Sequence, residues 1–132
     1  MTTPVDLATH LDQARYLSLT TFRRSGEPVA TPVWFVPQPD GTVLVYTEAS
    51  SGKVKRLRHT PACTVAACDA RGRLRGEPAE ATAVILDDQV EQVQRRLVSR
   101  YGWQARAFLL AARLRGRGQA DAVGIRLSSR TA

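Results

Sequence analysis

The chain is short of the residues that most often carry chemistry. Its 132 residues include two histidines, two cysteines and one methionine. His10 and His59 have no carboxylate or nucleophile beside them in sequence, so neither is expected to act as an acid–base catalyst. His59 with Cys63 is the only hint of a metal pair. Pro61 disturbs that spacing and no second pair accompanies it, so no metal is expected. Cys63 and Cys68 fall in one strand-like run at an odd separation, which points their side chains to opposite faces. They are expected to be free, buried thiols in a reducing compartment. The serines and cysteines lack a triad context. The usual signatures of nicotinamide dinucleotides and nucleoside triphosphates, G-x-G-x-x-G and the Walker loop, are both missing. No apolar run is long enough to cross a bilayer. Residues 1–6 carry neither the basic segment nor the apolar stretch of a secretory signal, so a cytoplasmic protein without a membrane span is expected. Aromatics are scarce: three Phe, two Trp and three Tyr. Few of them neighbour a cation within a strand, which argues against a nucleic-acid partner.

What is present is positive charge. Nineteen Lys and Arg against twelve Asp and Glu leave a net charge of +7, which suits an anionic partner. The charge concentrates in Ser51-Gly52-Lys53-Val54-Lys55-Arg56-Leu57-Arg58, directly after the β-branched run over 42–47. A strand feeding a Ser/Gly turn and then a basic helical turn aims backbone N–H groups, a hydroxyl and several cations at one spot. Such a spot suits a phosphate.

The rest of the chain reads as β-rich. Seven Pro and nine Gly separate short apolar runs, and the connections have hairpin length, which excludes a doubly wound parallel sheet. Strands are predicted over 16–22, 29–36, 42–47, 62–69, 73–86 (bent near Gly76 to Pro78) and 122–128. Pro32 cannot donate to a ladder, so it marks an edge or a bulge. A short amphipathic helix is predicted over 6–14, a second after an Asp88–Glu91 capping pattern with Val90, Val93, Leu97 and Tyr101 on one face, and a third over 104–114. Arg71, Arg73 and Arg75 alternate at strand spacing and should share a face. That face is either a charge-protected edge or a contact for a polyanionic tail. One domain spanning 1–132 is expected, a small barrel with peripheral helices.

Thr31-Pro32-Val33-Trp34-Phe35, Val45-Tyr46-Thr47, the basic stretch over 51–58 and Thr60-Pro61 together resemble the flavin-binding split β-barrel family. That family includes pyridoxamine phosphate oxidases and the deazaflavin-dependent reductases of actinobacteria, and the resemblance is closest to the reductases. It implies a mainly β, six-stranded split barrel working as a homodimer, with cofactor sites between subunits. It implies coenzyme F-420, a deazaflavin with a phosphodiester and a glutamate tail, as cofactor, with FMN as the alternative. By the same resemblance, Thr31, Pro32, Val33 and Trp34 would line the ring through their backbone. Thr47, Ser51, Gly52 and Lys53 would surround the phosphate, with Lys55 and Arg58 close by. The implied activity is hydride transfer from the reduced cofactor to an electron-poor small molecule; no catalytic side chain is implied. The FMN oxidases of the family carry cations where Thr31, Val36 and Gly52 stand. They also end in a Trp-x-x-x-Arg motif that Trp103 and Arg106 do not match. These departures favour the deazaflavin. A non-catalytic carrier of cofactor or haem is the rival reading from another class.

Overall fold

The computed structural model describes residues 7–11, 14–114 and 122–130. The strands are β1 (Tyr16–Phe22), β2 (Pro28–Val33), β3 (Phe35–Pro37), β4 (Val43–Glu48), β5 (Ala62–Cys68), β6 (Ala79–Leu86) and β7 (Ala122–Ser129). The helices are α1 (Leu7–His10), α2 (Gly52–His59), α3 (Val90–Tyr101) and α4 (Trp103–Leu114). The strands form one antiparallel sheet in the order β2-β1-β5-β6-β7-β4-β3.

Seven strands replace the expected six, because the run over 29–36 breaks at Trp34. Val33 pairs with Leu17 on β1, whereas Phe35 pairs with Val45 on β4. β2 and β3 are therefore opposite edges of the sheet, joined through one residue. Two Cα steps span about 7 Å, whereas a flat seven-stranded sheet would hold its edges about 29 Å apart. The sheet must roll up until its edges meet, leaving a split at Trp34. Pro32 lies on the edge strand β2, as a residue without an N–H requires.

The rolled sheet encloses one core and carries another on its outside. Leu17, Leu19, Phe35, Val43, Val45, Val65, Ile125 and Leu127 point inward, and α1 and α2 add Leu7, Val54 and Leu57. Outside, α3 lays Val93, Leu97 and Tyr101 over Val36, Leu44 and Leu86. This explains why Val43, Leu44 and Val45 are buried in succession: both faces of β4 are covered.

Gly124 on β7 lets α3 approach. A Cβ there would lie 2.8 Å from Val93 Cγ2, and a β-branched side chain in a helix has little freedom to give way. Gly124→Ala is expected to destabilise the fold by about 1–3 kcal/mol. Thermal melting should show a drop of roughly 4–10 °C; an unchanged midpoint would refute this tight contact.

Two local expectations are corrected. The strand predicted over 73–86 begins only at Ala79, and before it only Leu74 bridges, to Cys68. The chain turns around Asp69, whose carboxylate accepts the N–H groups of Arg71 and Arg73, both at 2.9 Å, and meets the Arg75 guanidinium at 3.5 Å. The backbone bond from Arg73, followed by that from Arg71 and the nearby cations, holds Asp69 below the usual carboxylate range. The three arginines thus form no strand stripe. The Asp88 cap is also absent, since α3 is capped by Gln89 without a side-chain bond. Gly102 ends that helix at φ 67°.

Cys63 and Cys68 are both free and buried. Burial pushes the Cys63 thiol up to about 12. Among the described residues, no helix is long and apolar enough to cross a membrane, and no cluster of His, Cys, Asp and Glu is placed to hold a metal.

Candidate functional site

β4 delivers the chain into a turn closed by Ser51 N–H donating to the Glu48 carbonyl, at 3.1 Å. Ser51 then caps α2 from an extended conformation, its hydroxyl accepting the Val54 N–H at 3.4 Å. This is the expected capping chemistry. It commits one lone pair of Ser51 and orders the first helical turn without using up that turn's remaining donors. Val54 and Leu57 anchor the helix in the inner core.

Two side chains of α2 reach out to strands. Lys53 Nζ donates to Thr47 Oγ1 at 3.3 Å on β4. Arg56 Nε donates to Thr21 Oγ1 at 2.7 Å on β1, and Thr21 is fully buried. The strand registers locate these anchors. Thr21 pairs with Val29 on β2. Continuing the β3–β4 register by two residues puts Thr47 level with Val33, where the chain leaves β4 for the other edge. The N-terminal turn of α2 is therefore tied to both sides of the split.

The site is electropositive. Lys53 is half-buried, and its pKa is lowered mainly by desolvation and secondly by the charge of Arg56, against a smaller opposite effect of Glu48. The Arg56 guanidinium lies over Gly52, where a Cβ would come within 2.7 Å of its Nη1. Glycine at 52 makes room for this guanidinium at the helix N-terminus. Lys53, Arg56 and the helix end together can hold an anion.

The structure brings Thr47, Ser51, Gly52 and Lys53 together. Thr31, Pro32 and Val33 run along the edge strand that borders the split, where the outer backbone edge has no ladder partner among the described residues. Trp34 is spoken for: its ring stacks on Tyr101 at 4.8 Å and meets Phe108 edge-on at 5.5 Å. Lys55 is exposed on another face of α2. Arg58 is drawn away, its guanidinium paired with Asp87 at 2.9 Å.

Two residues were not singled out from sequence. Arg56 lies one helical repeat after Gly52, so i,i+4 spacing was its available signal. Thr21 is one of two threonines in β1 and has no local signal at all.

Solved structures share this fold. A conserved hypothetical protein from Mycobacterium tuberculosis superposes with a TM-score of 0.69 at 22% identity, over 99% of this chain and 82% of that one. An F-420 reductase gives 0.67 at 18% identity, over 98% and 97%. The heme storage protein of Vibrio cholerae gives 0.66 at 15% identity, over 98% and 93%. At such identities the likeness is one of fold. No curated protein matches the chain significantly. The pyridoxamine 5'-phosphate oxidase family matches over residues 6–130, nearly the whole of a rolled β-sheet with its basic helix at the split, and the chain belongs to that family.

Proposed function

We propose that this protein binds coenzyme F-420 at the split and acts as a deazaflavin-dependent oxidoreductase on an electron-poor small molecule. The observation that carries this reading is the electropositive N-terminal turn of α2 beside an edge strand with free backbone groups. Lys53, Arg56, the Ser51 turn and Thr47 would hold the cofactor's phosphate. The backbone over 31–34 would run along the planar ring, with Pro32 removing one N–H from that edge.

The deazaflavin, when bound, supplies the hydride. The chain's residues orient the ring and keep the anionic group fixed. The reading needs no acid–base pair, and a substrate proton can come from water. By the family resemblance, in which the FMN oxidases carry an arginine at this position, Gly52 favours the deazaflavin. Two subunits with sites between them complete the proposal. α4 leaves Trp103, Leu110 and Leu114 exposed along one face, an apolar stripe that a second copy can cover.

The test is a parallel fluorescence titration with oxidised F-420 and with FMN. Tighter F-420 binding, by about tenfold or more, is the expected result. Preferential FMN binding would move the protein to a flavin-dependent activity. Binding of neither would refute the cofactor assignment and leave a haem or other carrier role to be tested.

A further inference from the structure

The positive charge of the chain is unevenly distributed. Residues 1–89 carry ten Lys and Arg against ten Asp and Glu, so the whole excess of +7 falls in residues 90–132. The helices α3 and α4 hold five arginines, Arg95, Arg96, Arg100, Arg106 and Arg113, against the single acid Glu91. The basic turn of α2 lies in the part that is neutral overall. The helical pair therefore carries a charge that the candidate site does not account for.

α4 also has more apolar surface than its packing uses. Ala105 is fully buried in the outer core and Leu109 is half-buried. Trp103, Ala107, Leu110 and Leu114 follow at steps of four, three and four, so they line the opposite face of the helix. Trp103, Leu110 and Leu114 are 75%, 56% and 79% exposed. Their stripe runs about 16 Å along the axis.

Cations flank the stripe. Arg106 lies one turn before Leu110. With Arg95 it lines a groove of about 430 Å³ between α3 and α4, whose apolar lining is Val98 and Leu109 and which Gln94 and Glu91 share. Arg95 and Arg106 are exposed and make no ion pair among the described residues. Helical geometry puts Gln104 on the other flank of the stripe from Arg106. There Gln104 Oε1 accepts the exposed Arg15 guanidinium at 2.9 Å. Arg100 is engaged elsewhere, donating to the Ala14 carbonyl at 2.6 Å.

We propose that this face of α4 docks on an anionic lipid surface, with the helix lying along it. A tryptophan and leucines in one stripe with arginines at its borders form the face of an interfacial helix. The stripe would enter the acyl boundary while Arg15, Arg95 and Arg106 meet the phosphate headgroups. Charge and shape select the occupant. A second copy can cover the stripe, but it brings the same basic helices against these. On α4 alone it also offers far less than the roughly 20–30 residues a side of a stable protein interface. A nucleic acid would pair with the arginines and leave the stripe in water. An anionic lipid surface satisfies both. The inference is independent of the cofactor reading.

The test uses the full chain and vesicles of phosphatidylcholine, with or without one-third phosphatidylglycerol. Binding is read by cosedimentation and tryptophan emission. Trp103→Ser/Leu114→Ser removes exposed apolar groups and Arg95→Gln/Arg106→Gln removes exposed charge, so both variants should melt with the wild type. The wild type is expected to bind the anionic vesicles about tenfold or more tighter than the neutral ones, with a blue shift as Trp103 leaves water. Each variant should lose about tenfold of that affinity, and added salt should weaken binding. Absence of binding to anionic vesicles overturns the proposal, and so does binding that neither variant weakens. A dimer that dissociates in Trp103→Ser/Leu114→Ser, without vesicle binding, overturns it in favour of a second copy. An oligonucleotide bound more tightly than the anionic vesicles, and lost only in the arginine variant, overturns it in favour of nucleic acid.

Discussion

Replacing Lys53 with alanine is expected to weaken cofactor binding by roughly 30-fold to 100-fold, the equivalent of about 2–3 kcal/mol for one charge-assisted hydrogen bond. Lys53 is the half-buried cation of the α2 turn, bonded to Thr47 and facing the like charge of Arg56. Its pKa lies below the ordinary lysine value, chiefly through desolvation. A cation in that position is held at a cost to the fold, and a bound anion relieves it. The alanine variant should therefore melt no earlier than the wild type while binding far more weakly, which separates a binding defect from a folding defect.

The pH dependence has opposite signs in the two measurements. In the window below 10.5 and above the lowered pKa, the unfolded chain binds more protons at this site than the folded one. Stability owed to Lys53 thus rises with pH there. Affinity for the anion falls over the same window as the charge is lost. An alanine variant with unchanged affinity in the fluorescence titration would remove Lys53 from the site, and with it the main support for the phosphate pose.

How much of this was legible in the sequence depends on which interactions are local. Short apolar runs bounded by turn residues located β1, β5 and β7 almost to the residue. Alternation over 29–36 hid the switch at Trp34. Val29, Thr31 and Val33 face inward on β2, and Phe35 faces inward on β3. The pattern runs on unbroken because periodicity reports the face of a strand and is silent about its partner. Ser51, Gly52 and Lys53 were readable as a turn and helix start because capping is decided within four residues. The fates of the two arginines after them were not. Arg56 is fixed by Thr21, 35 residues away, and Arg58 is removed by Asp87, 29 residues away. One helix thus carries two similar side chains at nearby positions, one placed at the site and one drawn off it, by contacts that no local pattern records.

Tyr101→Phe is expected to destabilise the protein by about 2–4 kcal/mol, since the hydroxyl serves backbone groups where ladder pairing changes sides. That hydroxyl accepts the Phe35 N–H at 3.1 Å and has the carbonyls of Arg15 and Phe35 at 2.8 Å and 3.0 Å to receive its single proton. It therefore pins the first residue of β3 to the entrance of β1 and to the end of α3, across the split. Phenylalanine retains the stack on Trp34 and the cation–π partners of the ring, Arg15 and Arg100. The loss therefore isolates the hydroxyl. A fall in melting temperature of roughly 8–15 °C is expected for a chain of this size. The functional effect should be smaller and of a definite kind. The backbone over 31–34 loses its downstream anchor while Lys53 and Arg56 keep theirs. Affinity for the whole cofactor should drop by only about threefold to tenfold, an amount of order 1 kcal/mol, and affinity for inorganic phosphate should not change. A variant that melts within about a degree of the wild type would show that the buried Phe35 amide finds another partner and that the split is held by packing alone.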